Sequence, residues 1–552
     1  MPADSNGSGF LAEVLADPDN DVPRLIYADW LEEQGSARGE FIRLQCELHT
    51  IDSRHPQWLD LKYRSEELLK AHGQEWADEL QQDVRKCEYQ RGFIDTVTVL
   101  ARTLLKNGES LLTSFPVRWI RLNYMKGTAA RWADCTALQH VRFLDLSYLK
   151  IGEDDLLGFL QSPHLKSLQG LKIGGAEQPQ SERVAQAVCQ PGIAANLEHL
   201  EIEGYDGAVE RILSQATRLG GFPRLKHVRL TPGYGDRYED LGTVTTSPLE
   251  SLVIAGSLNV ANCEALSRIP LQQLRKLTLN SFPLSGLKKL AEAGALESLE
   301  ELTLGDPEST ARSAKELFFH KRLQHCRMLD LSFHNHMFAR ADMGEFISLM
   351  ARHTPLQNLT TLRLRSLQPG YLAKLATSPN LANVQDLSVL QSSIAEDDLM
   401  ALRSGPWRES LRRLEFVRMG LPAKTIRQFS KGVFPNLVHF ALNSQFDFEV
   451  DRSGVEDAVL ELLMLNAMPN LQSLHLVSLG LTEDTLKVIA GSDNCRELRV
   501  LNFDENRGSN DAMVAVLESP NLPHLHRFSL KDCKGLRRSE KFVEKYGDRL
   551  RY

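Results

Sequence analysis

The feature that most restricts how this chain can fold is a leucine pattern that returns at near-constant spacing. The form L-x-x-L-x-L stands at Leu197-Glu-His-Leu200-Glu-Ile202, Leu274-Arg-Lys-Leu277-Thr-Leu279, Leu299-Glu-Glu-Leu302-Thr-Leu304, Leu359-Thr-Thr-Leu362-Arg-Leu364, Leu411-Arg-Arg-Leu414-Glu-Phe416 and Leu471-Gln-Ser-Leu474-His-Leu476. With the penultimate apolar position as marker, fifteen units run through Leu144, Leu171, Leu200, Val228, Leu252, Leu277, Leu302, Leu329, Leu362, Leu387, Leu414, Phe440, Leu474, Leu501 and Phe528, about 27 residues apart on average. A period of that size predicts stacked supersecondary units, and a chain of 552 residues would in any case outgrow one compact core. Two longer intervals, 329 to 362 and 440 to 474, mark insertions. Weaker apolar pairs at Val97 with Val99 and Ile120 with Leu122 precede the series.

Behind the strand pattern comes an apolar anchor, then acidic residues, then apolar positions at helical spacing, as in Ile151-Gly-Glu-Asp-Asp-Leu156, Ile394-Ala-Glu-Asp-Asp-Leu399 and Leu481-Thr-Glu-Asp-Thr-Leu486. Carboxylates placed there answer the free amides and the positive dipole end of a starting helix. Each unit therefore reads strand, turn, helix. Neither element buries its apolar side alone, so the units must stack. Over roughly residues 93 to 535 the chain resembles the leucine-rich-repeat family in its longer, ribonuclease-inhibitor-like variety. The resemblance implies an α/β solenoid, a horseshoe with parallel strands on the concave face and helices on the convex face. It also implies Asn or Cys three residues after the last leucine of a unit, bonded to the turn. That position holds Asn506 and Cys533, but also Leu149, Phe282, Met419 and Leu479, so many turns must be satisfied in another way.

Residues 1 to 90 lack the unit and read as a small all-α domain, leaving 91 to 552 as solenoid with a C-terminal cap. Asp21 as cap, Pro23 in the first turn and Gly35 as terminator frame one helix; a second runs from about Ala37 to His49, and Pro56 to about Leu80 supplies one or two more. The string Asp17-Pro-Asp-Asn-Asp-Val-Pro-Arg-Leu-Ile-Tyr-Ala-Asp-Trp-Leu-Glu-Glu-Gln-Gly35, continued by Arg38-Gly-Glu-Phe-Ile-Arg-Leu-Gln45, resembles the bacterial repeat-companion domain, as does the later Gln90-Arg-Gly-Phe-Ile-Asp-Thr-Val-Thr-Val99. That family implies a module that sits ahead of repeats, and covering the open end of the stack is its simplest task. Asp29 reads either as a ligand contact or as an ion pair with Arg24, Arg38 or Arg43; pairing is favoured because charges near a core are normally paired.

Chemistry-bearing patterns are sparse. His320, His325, Cys326, His334 and His336 form the densest candidate for a metal site. His334 falls on the Asn/Cys turn position and His336 on the apolar anchor, so both are expected to be structural, and no metal is expected. Gly233-Tyr-Gly235-Asp236 reads as a loop, and the pairs Asp154 with Asp155 and Asp397 with Asp398 recur at helix starts, where capping explains them. There is no Walker loop, GxGxxG after a strand, HExxH or GxSxG, so neither a catalytic site nor a cofactor is expected. The eight cysteines are scattered without a CxxC pair, which fits reduced thiols serving as small buried hydrophobes.

A net charge of -8 with both signs mixed supplies no basic field for nucleic acid. No apolar run of about 18 residues occurs to span a membrane, and residues 1 to 9 lack the basic and apolar regions of a secretory signal. A cytoplasmic monomer is the expectation. Strand side chains alternate between faces, so one outward row comprises Asp145, Lys172, Glu201, Arg229, Val253, Thr278, Thr303, Asp330, Arg363, Ser388, Glu415, Ala441, His475, Asn502 and Ser529. The residues expected to meet a protein partner are Arg229, Asp330, Arg363, Arg365, Arg413, Glu415, His475 and Asn502, with Asp330, Asp386 and Glu415 placed to pair with the arginines. The function expected is a non-catalytic protein-protein interaction scaffold. The alternative is a regulatory subunit that binds and modulates an enzyme such as an NTPase or hydrolase.

Overall fold

A computed structural model describes residues 5–80, 84–147, 149–175, 178, 181–204, 207–231, 239–307, 323–331, 342–353, 356–445 and 452–551. The chain divides into two compact units, Met1–Ala295 and Leu296–Tyr552.

The first unit begins with helices α1 (Ser5–Ala16), α2 (Asp21–Glu33), α3 (Ala37–Thr50) and α4 (Trp58–Asp78). The sequence placed the last three; α1 escaped it because SNGSGFLAEVLA opens on residues that favour turns. The cap of α2 also differs. Asn20, not Asp21, accepts from the Val22 amide at 3.0 Å, and Asp21 sits in the first turn. An antiparallel hairpin follows, β1 (Val84–Gln90) and β2 (Phe93–Leu100), closed by Arg91 and Gly92 at φ +50° and +81°. Two positive φ values are what a two-residue primed turn requires.

That turn joins the hairpin to the helices. A Cβ on Gly92 would lie 2.4 Å from Ile42 Cα, so only glycine lets the backbone approach α3 so closely. The Gly92 amide donates to Gln45 Oε1 at 2.9 Å. The Arg91 guanidinium donates to the Pro18 and Asp19 carbonyls and meets Asp21 Oδ1 at 3.1 Å. Phe93 is buried in one cluster with Val14, Ala28, Leu31, Ile42 and Cys46.

From β2 onward every pairing in this unit is parallel: β3 (Trp119–Tyr124), β4 (Phe143–Asp145), β5 (Gly170–Gly174), β6 (His199–Glu203), β7 (His227–Thr231), β8 (Ser251–Ser257) and β9 (Lys276–Phe282). The marker residues Val97, Ile120, Leu144, Leu171, Leu200, Val228, Leu252 and Leu277 lie level in register. All of them are buried. Helical segments lie between the strands.

The second unit repeats the plan with β10 (Glu301–Pro307), β11 (Met328–Leu331), β12 (Thr361–Arg365), β13 (Asp386–Leu390), β14 (Arg413–Val417), β15 (His439–Asn443), β16 (Ser473–Val477), β17 (Val500–Asn502), β18 (Arg527–Ser529) and β19 (Leu550–Arg551), all parallel. β19 was not foreseen; its Leu550 lies level with the last marker, Phe528.

The turns show a further device that holds units together, in those with the expected Asn or Cys and in those without. Four residues after the marker stand Ser366, Gln391, Arg418, Ser478, Glu505 and Asp532, all in the left-handed region at φ between +42° and +60°. Each costs roughly 1 kcal/mol for a residue other than glycine. The next unit holds them: the amides of Ser366, Gln391, Ser478 and Glu505 donate to Leu390, Val417, Asp504 and Lys531 carbonyls at 2.9 to 3.1 Å. At the opposite end of the strands runs a side-chain ladder that sequence reading missed. Asn358, Asn383, Ser410, Asn436 and Asn470 donate to the carbonyls of Gln324, Gln357, Val384, Glu409 and Pro435, each one unit back, at 2.6 to 2.7 Å.

Where the expected asparagine does occur it is fully used. Asn506 accepts from the Leu479 and Leu481 amides at 3.0 and 3.1 Å and donates to the carbonyls of Leu476, Phe503 and Asp504. Replacing Asn506 with Ala should lower stability by about 3 kcal/mol, since two buried amides lose their acceptor. Denaturant melts of the Asn506→Ala and Asp532→Gly variants check this: the first should shift strongly, whereas Asp532→Gly, at an exposed left-handed position, should leave stability level or slightly raised.

Candidate functional site

Alternation along β11 to β17 presents two outward rows. Asp330, Arg363, Ser388, Glu415, Ala441, His475 and Asn502 lie level in one; Thr361, Asp386, Arg413, His439, Ser473 and Val500 lie level in the other. The sequence reading enumerated the first row. His439 and Ser473 were missed, although they precede the markers Phe440 and Leu474 and the same two-residue alternation turns them outward.

The two rows join in one network across four strands. Arg413 Nη2 meets Glu415 Oε1 at 3.0 Å, and its Nε lies 3.7 Å from Asp386 Oδ2. Glu415 Oε1 lies 3.0 Å from His439 Nε2, whose Nδ1 is 3.0 Å from Ser473 Oγ. Ser473 Oγ in turn is 3.0 Å from His475 Nε2, and the two imidazole rings stand 4.9 Å apart. Burial alone would raise the Glu415 carboxyl, but its contacts with His439, Arg413 and Ser388 outweigh that and hold it down at about 2. Burial lowers both histidines, His475 to about 3, so both imidazoles are neutral at neutral pH.

Serine, imidazole and carboxylate in close succession resemble the parts of an activated nucleophile, but the Glu415–His439 contact is a close approach without hydrogen-bond geometry, since His439 Nε2 has no hydrogen-bond partner. Two parts of acyl-transfer chemistry are missing here. The Ser473 side chain is buried, and its amide is already committed to the Val438 carbonyl at 2.9 Å, so it is not available to an oxyanion. The arrangement fixes side chains across the sheet.

Of the arginines singled out from sequence, Arg363 Nη1 lies 3.7 Å from Asp330 Oδ2, with the Arg363 side chain 46% exposed and Asp330 nearly buried. Arg365 donates to the Gln391 side chain. Asn502 accepts the Asp504 amide at 2.9 Å and so shapes its own turn. In the first unit Arg229 is exposed on β7, level with Glu201 and Val253, and makes no ion pair among the described residues. Asp29 pairs with Arg43 at 2.6 Å.

The acidic pairs at helix starts cap more than their own helix. Asp398 accepts from the Ala395 amide of its own unit and from the Gly370 and Ala373 amides one unit back, at 2.9 to 3.0 Å. Asp155 accepts from the Gly127, Thr128 and Ala129 amides of the preceding unit. Partial burial pushes its carboxyl up, but those donors outweigh it and the net shift is downward. All eight cysteines are free thiols. His320, His334, His336 and the 233 to 236 loop lie outside the described residues. Among the described residues no three His, Cys, Asp or Glu side chains are grouped to hold a metal ion, and no helix is long and apolar enough to cross a membrane.

No protein-family model and no curated protein matches this chain. Solved structures that align with it include the TLR13 chain of a TLR13–ssRNA13 complex, at 17% identity over 81% of this chain and with a TM-score of 0.38. This chain spans 59% of the length of that one. An internalin from Listeria monocytogenes aligns at 15% identity over 73% of this chain and 82% of its own, with a TM-score of 0.27. A Bacteroides fragilis protein aligns at 16% identity over 47% of this chain and 68% of its own, also at 0.27. These neighbours are leucine-rich-repeat proteins.

The histidine network makes stability depend on acidity. An unfolded histidine takes up a proton near pH 6.5, whereas folded His475 does so only near about 3, so stability is whole above pH 6.5 and falls as pH drops toward 3. Urea melts at pH 7 and pH 4.5 should show that His475→Gln removes roughly 1–2 kcal/mol of the acid-induced loss. An unchanged loss in the variant would contradict the assignment.

Proposed function

We propose that this chain is a non-catalytic leucine-rich-repeat scaffold that binds a protein partner on the outward sheet face of its second unit. The observation that carries the reading is the pair of outward rows held in register across β11 to β17, rigid through the Asp386, Arg413, Glu415 and His439 contacts while Arg363 stays about half exposed. A preorganised polar surface loses little side-chain freedom on docking, which is what a specific protein interface needs. Arg363 is the residue of choice for a partner's carboxylate, because its own neighbour stands 3.7 Å away rather than in close contact.

The first ninety residues fit the role of a cap over the opening strands, as the bacterial repeat-companion resemblance implies. The Arg91–Gly92 turn against α3, with Phe93 buried among helix residues, supports that reading. Eight free cysteines, none in a disulfide, support a cytoplasmic setting, and the scaffold is taken to act as a monomer.

Cross-linked affinity capture from the native cell, with full-length protein, tests the scaffold. A protein partner should be recovered, and Arg363→Glu should lower its recovery at least fivefold, while Lys487→Glu on a helix leaves it unchanged. Equal recovery with Arg363→Glu would count against the second-unit face. For the cap, Gly92→Val should lower soluble yield and the melting midpoint, since the added side chain cannot fit against Ile42.

A further inference from the structure

Outside its two outward rows, the second unit carries a knot of exposed aliphatic side chains on the turns that lead from helices back into strands. Helix Val455–Met464 ends in such a turn, within the longer interval between the markers at 440 and 474. Met464 is 66% exposed and Leu465 55% exposed there, and Val433, in the equivalent turn one unit back, is 42% exposed. This exposure is built in, not the fraying of a helix end. The Leu465 amide donates to the Glu461 carbonyl at 3.0 Å, and Asn494 Nδ2 of the following unit donates to the Leu463 and Met464 carbonyls at 3.1 and 3.0 Å. The Phe434 amide donates to the Ala467 carbonyl at 2.8 Å and so ties the two turns together. Single exposed aliphatics are ordinary on a protein surface; three on adjoining, hydrogen-bonded turns make a patch.

The charges around the knot are mainly positive. Arg408 Nε donates to the Val433 carbonyl at 3.0 Å, and a Cβ on Gly432 would lie within 2.9 Å of Arg403 Cβ, so both arginines border Val433. Exposed Lys431 stands two residues before Val433, and exposed Arg496 two residues after Asn494. Arg403, Lys431 and Arg496 make no ion pair among the described residues, whereas Glu409, Glu461 and Glu497 are held by Arg408, Arg427 and Arg499 at 3.5, 3.3 and 3.5 Å. Asp493 is the one carboxylate of these turns without an ion pair among the described residues, which leaves an excess of positive charge.

Projecting aliphatic side chains enter a fluid apolar layer without needing a shaped pocket, and unpaired cations beside them answer anionic headgroups. An acidic protein would satisfy the cations, but it would also need a hollow matched to Met464 and Leu465. We propose that these turns of the second unit dock on an anionic membrane surface, Met464, Leu465 and Val433 entering the headgroup boundary and Arg403, Lys431 and Arg496 meeting the lipid anions. The chain lies on the bilayer and does not span it.

Vesicle flotation of the full chain tests this, with vesicles of phosphatidylcholine alone and of equal parts phosphatidylcholine and phosphatidylserine, and with soluble poly-glutamate as comparison. The chain should float with the mixed vesicles and not with the neutral ones, and added salt should release it. Met464→Asp combined with Leu465→Asp should lower the bound fraction at least tenfold, and Lys431→Glu combined with Arg496→Glu should do the same. Arg363→Glu on the sheet face should leave it unchanged. The replaced side chains are exposed, and circular dichroism checks that each variant keeps its fold; should the Asp pair fail, Met464→Ser with Leu465→Ser takes its place. The proposal is overturned if the mixed vesicles do not carry the chain, if neutral vesicles carry it equally well, or if binding survives either double replacement. It is also overturned if poly-glutamate holds the chain as tightly as the mixed vesicles do, which would point to an acidic protein instead.

Discussion

No unit of this protein completes itself, and everything else in the structure depends on that constraint. A strand and a helix in isolation leave amides, carbonyls and an apolar side open, and stacking must supply what each lacks. The carbonyls of Arg412, Val438, Gln472 and Arg499 each accept two amides from the following unit, at 2.7 to 3.1 Å. Left-handed residues such as Ser366 and Glu505 keep a costly backbone because their amides find a carbonyl one unit on. Asp398 and Asp155 reach one unit back to cap a neighbour's helical turn. Stability therefore resides in the seams as much as in the leucines.

The same seams create the two surfaces. Parallel register sets equivalent side chains level from strand to strand, so a single outward residue becomes part of a row. In the second unit the row links arginine, carboxylate and imidazole into a fixed polar face; in the first it lines up Trp119, Phe143, His199 and His227 beside the Arg121–Asp145 and Lys172–Glu201 pairs. These side chains are buried or half-buried, so what pairing gains is offset by the loss of hydration, and the ladders are better understood as a way of orienting side chains than as a source of folding energy.

The leucine spacing carried most of the fold. All fifteen markers are in parallel register within their units, and even the weak pairs at Val97 and Ile120 proved to be strands. The short β19 escaped because two residues carry no periodic signal, and helix α1 because its opening residues favour turns and leave only Phe10, Leu11, Val14 and Leu15 at helical spacing. The left-handed turns escaped because Gln391, Ser478 and Glu505 are not glycines; tertiary hydrogen bonds, not residue type, place them there. The side-chain ladder at Asn358, Asn436 and Asn470 was in plain view, as an asparagine directly before a unit's first leucine, but its meaning depends on a carbonyl one unit away. The polar face was half legible: Arg363 and Glu415 followed from alternation, whereas the His439–Ser473 link joins two strands and is visible only once they are paired.

The central claim, that each unit is completed by its neighbour, is tested most directly by amide hydrogen exchange on Asp398→Ala. Asp398 caps both the Glu396–Ser404 helix and the preceding Tyr371–Ala376 helix. The account predicts faster exchange in both helices, with the amides of Gly370 and Ala373 among those that lose protection. Acceleration confined to the Glu396–Ser404 helix, with the preceding one unchanged, would contradict it.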